Sequence, residues 1–203
     1  MDLLLASNNI NKLDEFTRLF PGHSIAAPSQ AGIPFDFEEN GSTFLENALG
    51  KAFELYRIAK RPVLSDDSGL CVTALGGEPG IFSSRYGSKP GEGKLETPER
   101  NAFLLSKIKG LADRRAFFVC CLVLLFEENR YFIAQETVHG FIAEEPRGHR
   151  GFGYDPLFLV PGKDLTIAEL PDGEKDLISH RGRAARRIKA LMDLPNERRG
   201  GTD

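Results

Sequence analysis

Ala116-Phe117-Phe118-Val119-Cys120-Cys121-Leu122-Val123-Leu124-Leu125-Phe126 is the longest uninterrupted apolar run in the chain, and Glu127-Glu128-Asn129 follows it directly. Eleven residues fall well short of the about 20 needed to cross a bilayer. The run is rich in β-branched and aromatic residues and ends on a polar turn. It reads as a long buried strand, and Tyr131 to Phe141 reads as its hairpin partner.

Working outward, Asp2 to Ala6 reads as a short apolar strand. Lys12 to Phe20 reads as a helix with Leu13, Phe16, Leu19 and Phe20 on one face. Residues 21–42 form a loop with at most a short strand near Ser24 to Ala27. Ser42 or Thr43 then caps a helix, with Glu46 completing a capping box, and the helix runs to about Lys60 before Pro62. Val63 to Ser65 and Leu70 to Thr73 read as two short strands split by Asp66-Asp67-Ser68-Gly69. After a glycine- and proline-rich loop, a helix opens at Thr97 or Pro98 and ends near Ile108. Beyond the hairpin lie a loop from Glu144 to Pro156, a strand from Leu157 to Val160, and an amphipathic helix from Ser179 to about Leu194. No repeat or linker interrupts this order. Residues 1–195 are therefore expected to form one mixed α/β domain, with residues 196–203 a flexible tail.

Composition narrows the class. The 203 residues are 41% hydrophobic and 27% charged, with 26 Lys and Arg against 29 Asp and Glu, a net charge of −3. These are globular values, and a chain of this length buries roughly 70% of its unfolded surface without metal or disulfide staples. The start of the chain lacks the basic and apolar regions of a secretory signal. Three cysteines, two of them adjacent, make no disulfide framework. A reducing, cytoplasmic location is expected. The four histidines are too scattered for a zinc motif. Charge is uneven: residues 19–50 carry no Lys or Arg but four acids, while residues 173–192 carry six basic residues against two acids. Such a division on a nearly neutral chain suits a metal with an anionic ligand better than a nucleic-acid surface, although charge alone favours the plainer reading of a solvated acidic loop and an ordinary basic helix.

Five short constellations bear on chemistry. Ser7-Asn8-Asn9-Ile10-Asn11-Lys12 lies between a strand and a helix, where backbone amides, hydroxyl and amide side chains and one ammonium favour a phosphate. It lacks the spacing of a P-loop. Asp66-Asp67-Ser68-Gly69 offers paired carboxylates at a strand end for a hard cation such as Mg²⁺. Glu39, in Glu38-Glu39-Asn40-Gly41, is placed to complete that shell if its loop folds over. Gly151-Phe152-Gly153-Tyr154-Asp155-Pro156 presents an aromatic platform and an acceptor for a base. Lys175 and Ser179-His180-Arg181 supply donors. Each alone has an ordinary explanation as a cap, a turn or a solvated surface. Together they describe a site for a nucleoside triphosphate and Mg²⁺.

These residues resemble the inosine triphosphate pyrophosphatase family, which hydrolyses deaminated purine nucleotides such as ITP, dITP and XTP. The matching pieces are Ser7-x-Asn9-x-x-Lys12, Glu39-x-Gly41-x-Thr43-Phe44-x-Glu46-Asn47-Ala48 and Asp66-Asp67-Ser68-Gly69-Leu70. They continue with Ala74-Leu75-Gly76-Gly77-x-Pro79-Gly80, Gly151 through Pro156, and Ser179-His180-Arg181. The resemblance implies an elongated mixed β-sheet with flanking helices, in two lobes around a central nucleotide cleft, and a homodimer. It implies that Ser7, Asn8, Asn9, Ile10, Asn11, Lys12 and Ser68 hold the triphosphate. Glu39 and Asp67 would bind Mg²⁺, with Asp67 also the proton acceptor. Phe152, Gly153, Tyr154, Asp155, Lys175, His180 and Arg181 would line the base and sugar. The implied reaction is attack of water on the α-phosphorus, releasing the monophosphate and pyrophosphate. Ser7 replaces a common Thr and keeps its hydroxyl. Phe82-Ser83-Ser84-Arg85-Tyr86 stands for a more usual Tyr-Ser-Ala-Arg-Tyr.

Three rivals make different demands on the sequence. A Maf-like pyrophosphatase opens with Ser-x-Ser-x-x-Arg, where this chain has Asn9 and Lys12. A non-catalytic nucleotide sensor fits a chain that has lost Glu39, Asp67 or Lys12, and all three are present. An RNA-binding module sits poorly with a net charge of −3, so no stable nucleic-acid or membrane partner is expected.

Overall fold

The computed structural model describes residues 1–89 and 91–193. The expected tail at 196–203, and the last residue of the expected C-terminal helix, lie outside the described residues.

The hairpin is the spine of the molecule. Strand β4 (Arg115–Glu127) pairs antiparallel with β5 (Arg130–Ile142), from Arg115 opposite Phe141 to Glu127 opposite Arg130. Strand β3 (Val63–Val72) lies on the other side of β4, and β1 (Asp2–Leu5) and β2 (Ser24–Ala26) extend the sheet in parallel. The short β6 (Phe158–Leu159) closes the far edge, giving six strands in the order β2-β1-β3-β4-β5-β6. The helices are α1 (Ile10–Leu19), α2 (Phe44–Ala59), α3 (Thr97–Lys107), α4 (Asp172–Ile178) and α5 (His180–Met192). This is the mixed α/β sheet with flanking helices that the sequence predicted. Helix α4 was absent from that reading.

The cores explain the cleft. At one end of the long strands, one face packs Leu3, Leu5, Leu64, Cys120 and Leu122 against Phe16 of α1 and Ala184 and Ile188 of α5. The opposite face packs Leu4, Val63, Cys121 and Val123 against Ala48, Ala52 and Leu55 of α2. At the other end a third cluster joins Leu70, Val72 and Phe118 to Leu104 of α3 and Phe158. Residues 65–69 of β3 fall between these bodies of apolar packing.

One element differs instructively from the sequence reading. Asp66-Asp67-Ser68-Gly69 is not a turn between two strands. Val63–Val72 is a single strand, paired residue for residue with β4 from Ala116 to Leu125. The backbone there is satisfied by the ladder, and the carboxylates are tolerated because cations meet them on both faces. Gly69 is required by close packing: a Cβ would run into the Gly80 carbonyl and the Ser83 hydroxyl. Smaller shifts are that α1 starts at Ile10, and that a 3₁₀ turn at Asp155–Leu157 takes the first residue of the expected 157–160 strand.

Candidate active-site cleft

The loop after β1 is locally self-capped. Asn9 is the N-cap of α1, and its side-chain oxygen accepts from the amides of Asn11 and Lys12 at 3.0 and 3.4 Å. The Asn9 amide itself donates to the Ser7 hydroxyl at 3.1 Å, and Asn8 Nδ2 donates to the Phe35 carbonyl at 3.0 Å. Several of the amides expected to face a phosphate are therefore already engaged. The Lys12 ammonium instead reaches out of the loop to Asp66.

Successive residues of a strand point to opposite faces, and this separates the two aspartates. Asp66 faces α1 and α5 and is fully buried. Its Oδ2 receives Lys12 Nζ at 2.8 Å, Ser68 Oγ at 3.2 Å and Arg181 Nη2 at 3.3 Å. Burial pushes its pKa up, but Lys12 and Arg181 outweigh burial and hold the carboxyl far below the usual carboxylate range. Asp67 faces α2. Asn47 Nδ2 donates to its Oδ2 at 3.1 Å, and Lys51 Nζ lies 3.2 Å from its Oδ1. Here burial wins: together with the nearby Glu39 and Asp66 charges it raises the Asp67 pKa, with Lys51 opposing.

Lys51 joins Asp67 to Glu39, whose Oε1 lies 2.5 Å from the same ammonium. Arg85 adds a contact to Glu39 Oε2 at 3.4 Å and a hydrogen bond to its carbonyl at 3.1 Å. The expected approach of the Glu39 loop to the Asp pair is thus present, on the Asp67 side. Two of its anchors come from α2. Thr43 caps the helix through the Glu46 amide, and Asn47 Oδ1 accepts from the Gly41 amide at 2.8 Å while its Nδ2 holds Asp67.

The other end of the cleft is built on a buried acid that the sequence reading missed. Glu15 of α1 pairs with Lys175 of α4, and with Nη1 of Arg181 of α5 at 2.5 Å. Burial alone would raise Glu15, but Arg181 and Lys175 bring it down to about 2. Lys175 also meets Asp155 Oδ2 at 2.8 Å, and that oxygen accepts from the Phe152 amide at 2.9 Å. A Cβ on Gly151 would strike the same Asp155 oxygen, which explains the glycine at a φ of +70°. The Phe152 ring ends up with the Lys175 ammonium 5.3 Å and the Arg181 guanidinium 5.4 Å from its centroid. His180 stacks on Phe118 at 4.7 Å and 10°. Burial, aided by the Arg181 charge, pushes its pKa down to about 3, so its ring is neutral at ordinary pH. Its Nδ1 is buried with no partner among the described residues.

These parts line two connected hollows. One is walled by Ser68, Phe152, Gly153, Tyr154, Asp155, His180 and Arg181, with Phe118 and Arg100 beside them. The other is walled by Ser7, Asn8, Glu39, Lys51 and Arg85. Asn9, Lys12, Ser84 and Lys94 line both. Lys175 lies beneath the first hollow and Asp67 behind Lys51; both are 4% exposed or less. Ile10 is 59% exposed and, like Asn11, lines neither hollow. Besides Glu15, the sequence reading missed Lys51, Asn47, Arg85 and Arg100. Lys51 carried a signal, since it falls on the apolar stripe of Ala48, Ala52 and Leu55. Glu15 lies one helical turn from Lys12, on the same side of α1.

Comparison with known proteins agrees with this geometry. Residues 3–191 match the Ham1 family. The chain is 53% identical over 184 residues to a dITP/XTP pyrophosphatase of Treponema denticola, covering 91% of this chain and 94% of that protein. It is 43% identical over 196 residues to the dITP/XTP pyrophosphatase of Ralstonia nicotianae, covering 95% and 96%. Among solved structures, the Staphylococcus aureus Ham1 protein matches with a TM-score of 0.83 at 39% identity, covering 95% of this chain and 98% of that one. The fold, the order of the motifs and nearly the full length of the chain agree on one conclusion: this protein belongs to the Ham1 family.

Proposed function

We propose that the chain is a nucleoside triphosphate pyrophosphatase that converts deaminated purine nucleotides (dITP, ITP and XTP) to the monophosphate and pyrophosphate, removing them from the nucleotide pool. The observation that carries this reading is a single cleft with two chemically distinct ends. Carboxylates and cations line one end, an aromatic ring and buried donors line the other, and Asn9 and Lys12 line both. A phosphate chain and a base need that division.

The acidic end suits Mg²⁺. Glu39 and Asp67 converge on one ammonium, so their all-oxygen donor set meets around a single point. Among the described residues no group of three or more His, Cys, Asp or Glu could hold a metal alone. Two carboxylates, with substrate phosphate oxygens and water, are the usual Mg²⁺ environment. When bound, the ion supplies charge neutralisation on the phosphates.

The chain's own groups do the rest. Asp67, with its raised pKa, accepts the proton of the water that attacks the α-phosphorus, and Asn47 and Lys51 fix its two oxygens for that role. Lys12 stabilises negative charge on the departing pyrophosphate. Ser7, Asn8, Asn9 and Ser68 complete the proposed triphosphate contacts, and Ile10 and Asn11, which line neither hollow, drop out of them. Phe152 stacks on the base, and Gly153, Tyr154 and Asp155 shape its pocket. Lys175 supports that end from beneath through Glu15 and Asp155. Neutral His180 and Arg181 present donors where hypoxanthine and xanthine carry a carbonyl and adenine an amino group. That contrast leaves adenine facing unmatched donors, which is how a hydrogen-bonding site rejects an analogue.

A homodimer and a cytoplasmic location belong to the same proposal, and sedimentation of the purified chain tests the first. Among the described residues no helix is long and apolar enough to cross a membrane. On the basic helix α5, Arg186 donates to the carbonyls of Asp176 and Leu177, and Arg187 pairs with Glu136 at 2.9 Å. The net charge of −3 is what speaks against a stable nucleic-acid partner in this proposal.

The test is pyrophosphate release from ITP, dITP, XTP, GTP, ATP and dTTP with Mg²⁺ and with EDTA. Rapid metal-dependent release from the first three is expected. Release mainly from dTTP, or binding without release, overturns the reading.

A further inference from the structure

The carboxylate of Asp66 is the hub of the cleft's inner wall, and its two oxygens are served very unequally. Lys12, Ser68 and Arg181 all meet Oδ2. Among the described residues the only donor to Oδ1 is the thiol of Cys120, at 3.1 Å. Cys120 is fully buried, on the β4 position paired with Ser68, so its side chain shares the Asp66 face of the sheet. Burial and the facing carboxylate raise its pKa well above the ordinary thiol value, so the sulfur keeps its proton and donates it.

We propose that Cys120 is a positioning residue for the pyrophosphatase reaction, its S–H fixing Asp66 Oδ1 so that Oδ2 stays turned toward Lys12, Ser68 and Arg181. The geometry leaves the carboxylate little alternative. A buried carboxylate oxygen without a donor is costly, and rotation of Asp66 to recover one draws Oδ2 away from Lys12 and Arg181. Those are the cations placed above at the phosphate and base ends, so the inference rests on that reading of the site. Neighbouring Cys121 faces α2 with Val123 and Leu125 and takes no part.

The test compares Cys120→Ala, which removes the donor, with Cys120→Ser, which removes the sulfur but keeps a hydroxyl donor. Two readouts are needed: KM and kcat with dITP and Mg²⁺, and binding of inorganic tripolyphosphate by calorimetry. Losing one hydrogen bond to a buried charge is expected to weaken tripolyphosphate binding about tenfold in Cys120→Ala, with a matching rise in KM. Cys120→Ser is expected to stay within about threefold of the parent chain in both. A Cys120→Ala chain that binds and turns over normally overturns the proposal. So does a Cys120→Ser chain as impaired as Cys120→Ala, since packing and not the proton donor would then be the cause. If the parent chain fails to hydrolyse dITP, the functional reading fails, while the tripolyphosphate comparison still decides the role of Cys120.

Discussion

Asp66 and Asp67 are neighbours in sequence and opposites in chemistry. Asp66 faces two cations, a hydroxyl and a thiol, which hold its carboxyl far below the usual carboxylate range. Asp67 shares one ammonium with a second carboxylate, and burial lifts its proton affinity. The alternation of a β-strand does this without any loop. A carboxylate already saturated with partners is a scaffold. One poorly compensated beside a cleft is poised to exchange a proton.

The largest effect expected from that contrast is on stability. Asp66→Asn keeps the shape but strips charge from a buried cluster that also holds Lys12, Arg181 and Glu15. Removing one partner of such a cluster costs about 3–5 kcal/mol, which denaturant unfolding should show. Asp67→Asn, which removes a charge that burial disfavours, should unfold near the parent midpoint. Equal losses in the two variants would erase the distinction. Arg181→Ala leaves Asp66 and Glu15 short of a partner in the same way, so its effect on base selectivity must be read beside its stability.

Next in size is Lys51→Met. Without the ammonium, Glu39 and Asp67 lose the cation that joins them in the free protein, and Asp67 stays protonated to higher pH. A fall in kcat of about a hundredfold is expected, the low end for a disabled general base. A normal kcat would mean that Lys51 only fills space.

The smallest effect concerns acid. His180 has its pKa lowered from 6.5 to about 3, so below pH 6.5 the unfolded chain binds a proton there that the folded chain refuses. Stability therefore declines as pH falls from 6.5 toward 3. Glu15, brought from 4.5 to about 2, adds to the decline from about 4.5 downward. His180→Phe should flatten the melting-temperature profile between pH 6.5 and 4.5, leaving only the steeper part below. An unchanged slope would place the sensitivity elsewhere.

The same contrast marks what the sequence could reveal. The hairpin, the capped α2 and the final helix were legible because apolar periodicity and caps are local signals. The single strand β3 was not, because Asp, Asp, Ser and Gly are turn-formers until a neighbouring strand and cations on both faces supply what a turn would. The expected cleft residues Asn9, Lys12, Glu39, Phe152 and His180 do line the two hollows. Glu15 and Lys51 escaped because a lone charged residue on a helix reads as surface, and for Glu15 the partner is also distant in sequence: 166 residues separate it from Arg181. Lys51 on an otherwise apolar stripe was the one visible anomaly.

The most direct test of the division between the aspartates is turnover by Asp67→Asn, with nucleotide binding followed in parallel. A general base contributes about 10²–10⁴-fold. Pyrophosphate release from ITP should therefore fall by about a thousandfold, while ITP still binds and the chain remains folded. Near-normal release by Asp67→Asn would contradict the assignment and move the proton acceptor elsewhere in the cleft.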